Sequence, residues 1–335
     1  QTLRPQSDAF AYDVFAPWWW WESGRISFTP SSLHLLLASY WNFLYVWVFP
    51  LLGTEGNSRI GAIVFCQLLH LLLGFGGSVL GVYSILRKLK VPRDWCITSA
   101  LYGATIFPIL WTAWTAKNDF GSIFWLIGSL YFLSINRTCF SGIFAGAAVA
   151  AKNPAAIPLA FLCPYLLGTL NNGSRLSNMV RFTGSALLCL LPHLARNWFA
   201  TGNPFFPVFL NLIPSPSVAR TAQTMIYGQL GEGQTGGITN FLPSLMRLMA
   251  REPFLAASAF FAILCTFRGQ NRRLKFLFLC SLFSLFSGVL WLGRSLEDDA
   301  YIRYLAPSLL LVQAFSLALL GDLRSLPLKS RERNL

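Results

Sequence analysis

The sequence has few charged residues for its length and none of the short motifs that identify common enzyme classes. Asp, Glu, Lys and Arg make up 12% of its 335 residues, about half the share found in soluble domains. It contains no Walker A loop, HExxH zinc motif, GxSxG elbow or dinucleotide-binding fingerprint. These absences exclude the enzyme classes that such motifs identify, so any catalysis would depend on a few acids and bases facing one cavity.

Metal-binding and disulfide patterns are also missing. The seven cysteines lie singly in or beside apolar stretches, their number is odd, and no CxxC spacing occurs. We therefore predict that they are small core residues. His34, His70 and His193 lie far apart in the sequence, and each is predicted to be a packed helix residue. Neither a cofactor nor a divalent metal is indicated by the residues present.

The sequence does contain a succession of long apolar stretches. Apolar residues make up 54% of the chain, and the mean hydropathy is +0.52. A spanning helix needs roughly 17–25 mostly apolar residues, and the lack of period-2 alternation favours helices over barrel strands. We predict an all-α polytopic membrane protein with about nine transmembrane helices, at 60–86, 96–114, 120–135, 139–151, 154–170, 182–195, 254–267, 274–293 and 303–321.

The net charge of +13 is distributed unevenly between the connections. Alternate connections and the C-terminal tail hold 15 of the 26 Lys and Arg residues but only three acids, whereas the other connections are nearly balanced. Because basic loops remain in the cytoplasm, we predict that the first set and the C-terminus are cytoplasmic. The excess charge therefore indicates orientation, and it does not indicate a nucleic-acid partner.

The chain is predicted to form one transmembrane domain. Its parts are an outer loop with juxtamembrane helices, a bundle, a long outer loop within the bundle and a cytoplasmic tail, at 1–59, 60–321, 196–253 and 322–335. The opening residues are typical of a loop already under way, which predicts a further helix upstream.

The membrane position of the N-terminal segment depends on residues 33–52. If this apolar segment crosses the bilayer, Asp8 and Asp13 are cytoplasmic; if it lies along or re-enters the outer face, they are outside. The net charge of −1 over residues 1–31 favours the outer location. The four tryptophans at 18–21 suit an interfacial helix.

The predicted orientation gathers the candidate functional residues on the outer side. Two predicted helices, 139–151 and 182–195, are short for a bilayer and end at Lys152 and Arg196. Such early ends leave either a water-filled cavity lined by charges or side chains that extend to the interface. A carboxylate in this cavity could act as a base, and the cations could neutralise a phosphate leaving group. The candidates are Asp8, Asp13, Asp119, Lys152, Arg196, Arg303 and Tyr304.

Simpler structural roles fit several of these residues equally well. Asp119 could cap a helix that begins near Phe120. The sequence Gly202-Asn203-Pro204 favours a turn whatever the function. The acidic run 297–299 is typical of a solvated turn.

The order of several short motifs resembles that of GT-C-type membrane glycosyltransferases, which include protein O-mannosyltransferases and aminoarabinose lipid A transferases. The first motifs are the run from Ser7 to Asp13 and the following run from Trp21 to Ile26. The later motifs cover most of the chain, at 117–119, 142–154, 196–204 and 303–307. Asp13 stands where relatives usually have His. The resemblance implies a GT-C-like fold with a juxtamembrane or re-entrant N-terminal segment.

The resemblance also implies an activity, the transfer of a sugar from a polyprenyl-phosphate donor to a glycan, lipid or protein acceptor. Asp8 would match the catalytic base, and Asp119 the second acidic position of the outer cavity. The implied substrate-binding residues are Asp13, Lys152, Arg196, Arg303 and Tyr304. Of the two membranes in which such enzymes occur, the bacterial plasma membrane is preferred over the endoplasmic reticulum as the expected location.

Two other functions remain open from the residues alone. One is a lipid or polysaccharide transporter or flippase whose outer cavity binds a phosphate headgroup. The other is a non-catalytic subunit of a membrane complex on the same scaffold.

Overall fold

The structure is a computed structural model. It describes residues 14–25, 40–53, 56–105, 110, 118–168, 174–206, 213, 238–268, 271–292 and 303–324. The regular elements in these residues are all helices, and none of the described residues forms a strand. The all-α prediction is therefore confirmed for the part of the chain that the structure describes.

Three short helices come first in the described chain. They are α1 (Phe15–Glu22), α2 (Tyr40–Val46) and α3 (Val48–Leu52). The predicted tryptophan helix is present as α1, in which Trp20 is buried against Phe43 while Trp19 and Trp21 are exposed. α2 and α3 are separated at Trp47 and together form only a short apolar element.

Most of the remaining helices are longer than these three, and several of them are joined by short turns. In order they are α4 (Gly56–Leu69), a π-helix (His70–Gly76), α5 (Gly77–Lys88), α6 (Arg93–Ala104), α7 (Asp119–Ser134), α8 (Thr138–Ala151), a 3-10 turn (Asn153–Ala155), α9 (Ala156–Gly168), α10 (Arg175–Thr201), α11 (Ile238–Arg251), α12 (Pro253–Arg268), α13 (Arg272–Leu292), a 3-10 turn (Arg303–Leu305) and α14 (Ala306–Arg324).

Three of the described helical segments are long and apolar enough to cross a membrane. They are Ile60–Lys88, Arg272–Leu290 and Ala306–Leu323. A fourth candidate is the pair α11 and α12, which is bent by 108° at its break. Each of the nine predicted spans overlaps a described helix, but the number of crossings is not confirmed.

The last described helix, α14, forms the core of one half of the bundle. Almost every residue from Leu305 to Leu319 is buried, because α6, α12 and α13 pack around it. The hydroxyl oxygens of Ser284 and Ser308 lie 2.7 Å apart between α13 and α14. A helix that is apolar on all sides can also face lipid, so it is the packing of its neighbours, and not its hydropathy, that places α14 in the interior.

The other half of the bundle is a close contact between α7, α8 and α10. Gly142 and Gly146 of α8 lie directly against the backbone of α10, where a Cβ atom would overlap the carbonyl oxygens of Phe182 and Ala186. The Ser141 hydroxyl donates to the carbonyl oxygen of Ser129 on α7 at 2.8 Å. Small residues four apart allow such close backbone approach between membrane helices.

The seven cysteines are all free, and five of them are buried. The predicted core role is therefore confirmed for Cys66, Cys96, Cys163, Cys265 and Cys280, while Cys139 is exposed. His70 and His193 are buried in helices as predicted. His34 lies outside the described residues.

Two predictions about the segment 196–253 are wrong. The helix that was expected to end near residue 195 continues to Thr201, so Arg196 lies inside it. The supposed loop also contains α11, an amphipathic helix. A search for apolar runs misses both, because charged residues on one face lower the mean hydropathy without opposing helix formation.

Candidate functional site

The candidate site begins with a buried ion pair between Asp119 and Lys152. Asp119 is the first residue of α7, and Lys152 follows the last residue of α8 with an extended backbone, φ −160°. The Lys152 ammonium donates to Asp119 Oδ1. The side chains are only 2% and 13% exposed, so the pair is shielded from solvent and weakly screened.

Tyr304 completes this group, which we call the outer cluster (Asp119, Lys152 and Tyr304). Lys152 Nζ lies 4.3 Å from the centre of the Tyr304 ring, a distance at which a cation is attracted to the ring face. Residues from three separate parts of the sequence are thereby brought together. Their functional roles remain predictions.

The geometry of Asp119 differs from the capping role that the sequence allowed. The N-cap of α7 is Asn118, which makes no side-chain capping bond, and Asp119 is already helical. Its carboxylate instead holds the Lys152 ammonium. Asp119 is therefore placed to fix the position of Lys152.

The first turn of α7 rests on a buried aromatic group that the sequence analysis missed. Trp41 Nε1 donates to the Tyr45 hydroxyl at 2.9 Å and to His70 Nδ1 at 3.2 Å. The Phe120 ring lies edge-on to His70, and a Cβ at Gly121 would overlap the Trp41 indole. These contacts fix the start of α7, and therefore the backbone of Asp119.

One sequence signal could have indicated this arrangement. His70 begins a π-helix, in which Gly74 lies so close to Phe120 that an added Cβ would be 2.8 Å from the Phe120 Cβ. π-helical turns are rare and occur frequently at functional sites. The glycines at 74, 76 and 77 inside an otherwise apolar span were the visible hint.

Arg196 lies in a second polar group, at the C-terminal end of α10. Its Nε and Nη2 atoms donate to Asn197 Oδ1 at 3.0 and 2.6 Å. The guanidinium is thereby held against the side chain of the next residue in the helix.

Asn197 also closes the turn that ends α10. Its Nδ2 donates to the carbonyl oxygens of Pro204 and Phe206 at 3.2 and 3.1 Å. Gly202 has φ +78°, a left-handed conformation that favours glycine after a helix. The turn predicted from Gly202-Asn203-Pro204 is thereby confirmed.

Replacing Asn197 with alanine is expected to lower the free energy of unfolding by about 1–3 kcal/mol, because the carbonyl oxygens of Pro204 and Phe206 and the Arg196 guanidinium each lose a hydrogen bond. Thermal unfolding of the purified full chain in detergent would measure the change. Phe199→Ala on the same turn of α10 is the control, since Phe199 is 86% exposed. Equal destabilisation by the two substitutions would contradict this role of Asn197.

Two apolar cavities lie along α10, and together they form what we call the α8–α10 cleft. The cavity near the outer cluster has a volume of about 420 Å³ and is lined by Asn153, Pro154, His193 and Asn197 among others. The second, of about 580 Å³, reaches Arg175 at the other end of α10. Val149, Ala156 and Leu190 line both cavities, so the two are neighbours.

Three of the other candidates cannot be placed relative to the outer cluster. Asp8 and Asp13 lie outside the described residues, as does the side chain of Arg303. Among the residues that the structure describes, no group of three or more His, Cys, Asp or Glu side chains could hold a metal ion.

No protein-family model, curated protein or solved structure matches the chain. Its function therefore has to be inferred from its own residues.

Proposed function

We propose that the chain is a membrane glycosyltransferase, which transfers a sugar from a polyprenyl-phosphate donor to a glycan, lipid or protein acceptor. The observation that carries the proposal is the junction between the outer cluster and the α8–α10 cleft. Lys152 belongs to the cluster, and its neighbours Asn153 and Pro154 line the cleft. A charged headgroup and an apolar chain would therefore find matching surfaces side by side.

The cleft suits the lipid portion of such a donor. Its lining is almost entirely apolar, and the two cavities together extend along α8, α9 and α10. An isoprenoid chain gains dispersion contacts there, and its bulk excludes water from the headgroup site. We propose that the headgroup lies toward Lys152, where the cation would face the donor phosphate.

Lys152 is held ready for this task before any substrate binds. Asp119 accepts a hydrogen bond from its ammonium, and the Tyr304 ring packs against the same ammonium. A cation that is fixed in advance stabilises developing negative charge without a cost of reorganisation. We assign Lys152 to the leaving phosphate, with Tyr304 as a neighbour of the bound donor.

The proposed reaction needs a base for the acceptor hydroxyl. Asp8 takes the hydroxyl proton as the acceptor oxygen bonds to the anomeric carbon, and the bond from that carbon to the phosphate oxygen breaks. Its electron pair leaves with the polyprenyl phosphate. Asp8 is preferred over Asp119 because the latter is already bound to an ammonium ion. Asp13, Arg196 and Arg303 are proposed to contact the substrates.

Asp8→Asn is expected to lower the rate of sugar transfer by about 10²–10⁴-fold, the usual contribution of a general base. The assay would supply full-length protein in vesicles with a panel of polyprenyl-phosphate sugars and measure the release of polyprenyl phosphate. Glu22→Gln is the matched control, since Glu22 is an exposed acid in the same N-terminal region. Unchanged release by Asp8→Asn would contradict the assignment.

A second measurement tests where Asp8 lies. Asp8→Cys should react with a membrane-impermeant thiol reagent from the face opposite to Arg273→Cys, because the proposal puts the two residues on different sides. Labelling of both from one side would exclude the outward-facing site, even if transfer activity were present.

The cleft also favours one alternative, a lipid flippase. Its lining runs from Asn197 at one end of α10 to Arg175 near the other, as a path across the membrane would. Vesicles distinguish the two functions. A flippase moves the intact lipid between leaflets, whereas the transferase splits the donor and retains activity in detergent, where no leaflets exist.

A further inference from the structure

The fold brings together two basic connections that are far apart in the sequence. The first joins α5 to α6, and the second precedes α13. Asn271 Nδ2 donates to the carbonyl oxygen of Leu89 at 2.6 Å, and the Asn271 backbone N–H donates to Asp322 Oδ2 at 3.2 Å. Asn271 Oδ1 also accepts from the backbone N–H of Leu274 at 3.1 Å. One asparagine thus links three segments at one end of the bundle.

The surface around Asn271 is strongly cationic, and we call it the basic collar. It contains seven basic side chains, six of which are exposed: Arg87, Lys88, Lys90, Arg93, Arg272, Arg273 and the half-buried Lys275. Asp94 and Asp322 are the acids in the same segments, and Asp322 already accepts from Asn271. Crowded like charges repel one another, so this surface gains stability when an anion binds.

The location of the collar points to the membrane surface as the source of that anion. The collar lies at the ends of two candidate spans, Ile60–Lys88 and Arg272–Leu290. Trp95, which packs against Gly321, stands beside it, and tryptophan is enriched at the level of lipid headgroups. Anionic lipids lie at this depth, and their phosphates accept hydrogen bonds from Arg in pairs.

The opposite end of the bundle lacks this excess. There the described charges are mixed, with Asp119 bound to Lys152 and Glu252 following Arg251. The positive charge is therefore concentrated on one surface, which the rule for basic loops assigns to the cytoplasmic leaflet.

We propose that the basic collar is a binding surface for the headgroups of anionic phospholipids. The collar is independent of the proposed transferase site, which lies at the other end of the helices. Phosphatidylglycerol or phosphatidylserine would gather at α5, α6 and α13 in preference to phosphatidylcholine. Bound lipid would neutralise the collar and hold the two basic connections together.

The test compares the full chain with a variant in vesicles of phosphatidylcholine. Spin-labelled phosphatidylglycerol and spin-labelled phosphatidylcholine report, by electron paramagnetic resonance, which lipid the protein retains. One Lys or Arg near an anionic surface changes the attraction by about fivefold, so the wild type should prefer phosphatidylglycerol by roughly that factor or more. High salt should weaken this preference because it screens exposed charges.

The variant Arg87→Gln, Lys88→Gln, Arg272→Gln, Arg273→Gln should lose the preference. The pair Arg247→Gln, Arg251→Gln is the control, since both residues lie on α11, away from the collar, and it should keep the preference. If the fourfold variant does not fold, Arg272→Gln with Arg273→Gln should show a partial loss. Asn271→Ala keeps every charge, and it should weaken retention because the two connections separate.

Three results would overturn the proposal. They are an unchanged preference in the fourfold variant, an equal loss in the α11 control, and abolition of the preference by millimolar inorganic phosphate at constant ionic strength. The last would identify a site for a soluble anion instead of a lipid. None of these results depends on whether the chain transfers sugars.

Discussion

Lys152→Met is expected to lower the free energy of unfolding by about 3–5 kcal/mol, because it leaves the Asp119 carboxylate buried without its cation. The carboxylate is only 2% exposed, so water cannot replace the lost ammonium at low cost. Asp119→Asn should also lower the free energy of unfolding, because it leaves the Lys152 ammonium without its carboxylate partner. Equilibrium unfolding of the full chain in mixed micelles would measure both.

The double variant Asp119→Asn, Lys152→Met distinguishes a charge effect from a general packing defect. Removing both charges removes the unpaired ion, so the double variant should be more stable than either single variant. Lys88→Met replaces an exposed lysine and should change stability by less than about 0.5 kcal/mol. Additive losses in the double variant would show that the two side chains act independently.

The same variants also test the proposed chemistry. A double variant that folds but releases no polyprenyl phosphate would show that Lys152 is needed for more than stability. Restored release in that variant would contradict its assignment to the leaving phosphate.

Gly142→Ala is expected to separate α8 from α10, at a cost of about 1–3 kcal/mol or more. The added Cβ would overlap the Phe182 carbonyl oxygen and the Ser185 hydroxyl. A side chain can rotate away, but the α10 backbone can move only by shifting the helix. Thermal unfolding and crosslinking between cysteines introduced on the two helices would detect the change.

Gly184→Ala is a control on the facing helix. Gly184 lies on α10, and a Cβ there would meet no atom within 4 Å. Alanine at this position should be neutral or stabilise the helix by about 0.5–1 kcal/mol, since glycine costs more backbone entropy. Equal destabilisation by the two substitutions would show that the loss does not come from the close contact at Gly142, and would contradict close α8–α10 packing as the cause.

Apolar runs that are followed directly by polar residues and proline predicted the bounds of their helices well. The span 139–151 was expected to end at Lys152, and α8 covers Thr138–Ala151. Here the helix and the apolar run end together, because Lys152 is followed by Asn153 and Pro154. Hydropathy alone therefore placed a candidate functional residue at a helix end.

Where a helix is amphipathic or continues past its apolar part, hydropathy fails. It missed α11 and the last turn of α10 for this reason. The group of Trp41, Tyr45 and His70 was beyond sequence reasoning for a different reason. Its hydrogen bonds join residues up to 29 positions apart, and no local pattern encodes that contact.

The candidate site divides in the same way. The distribution of positive charge among the loops predicted that Asp119, Lys152 and Tyr304 lie on the same side of the membrane. In the structure, both Asp119 and Tyr304 contact Lys152. The sequence could not predict that Asp119 forms an ion pair with Lys152, because this pairing depends on how α7 and α8 are placed relative to each other.

The burial of α14 has a consequence for biosynthesis. During translation, α6, α12 and α13 are synthesised before α14, the helix around which they pack. This half of the bundle therefore cannot complete its core until α14 has been made. During that interval the hydroxyl of Ser284 and the apolar faces that will meet α14 are exposed to lipid or to the insertion machinery. Chains that end before residue 306 would lack α14 and therefore the core of this half of the bundle. We expect quality-control proteases to degrade such truncated chains.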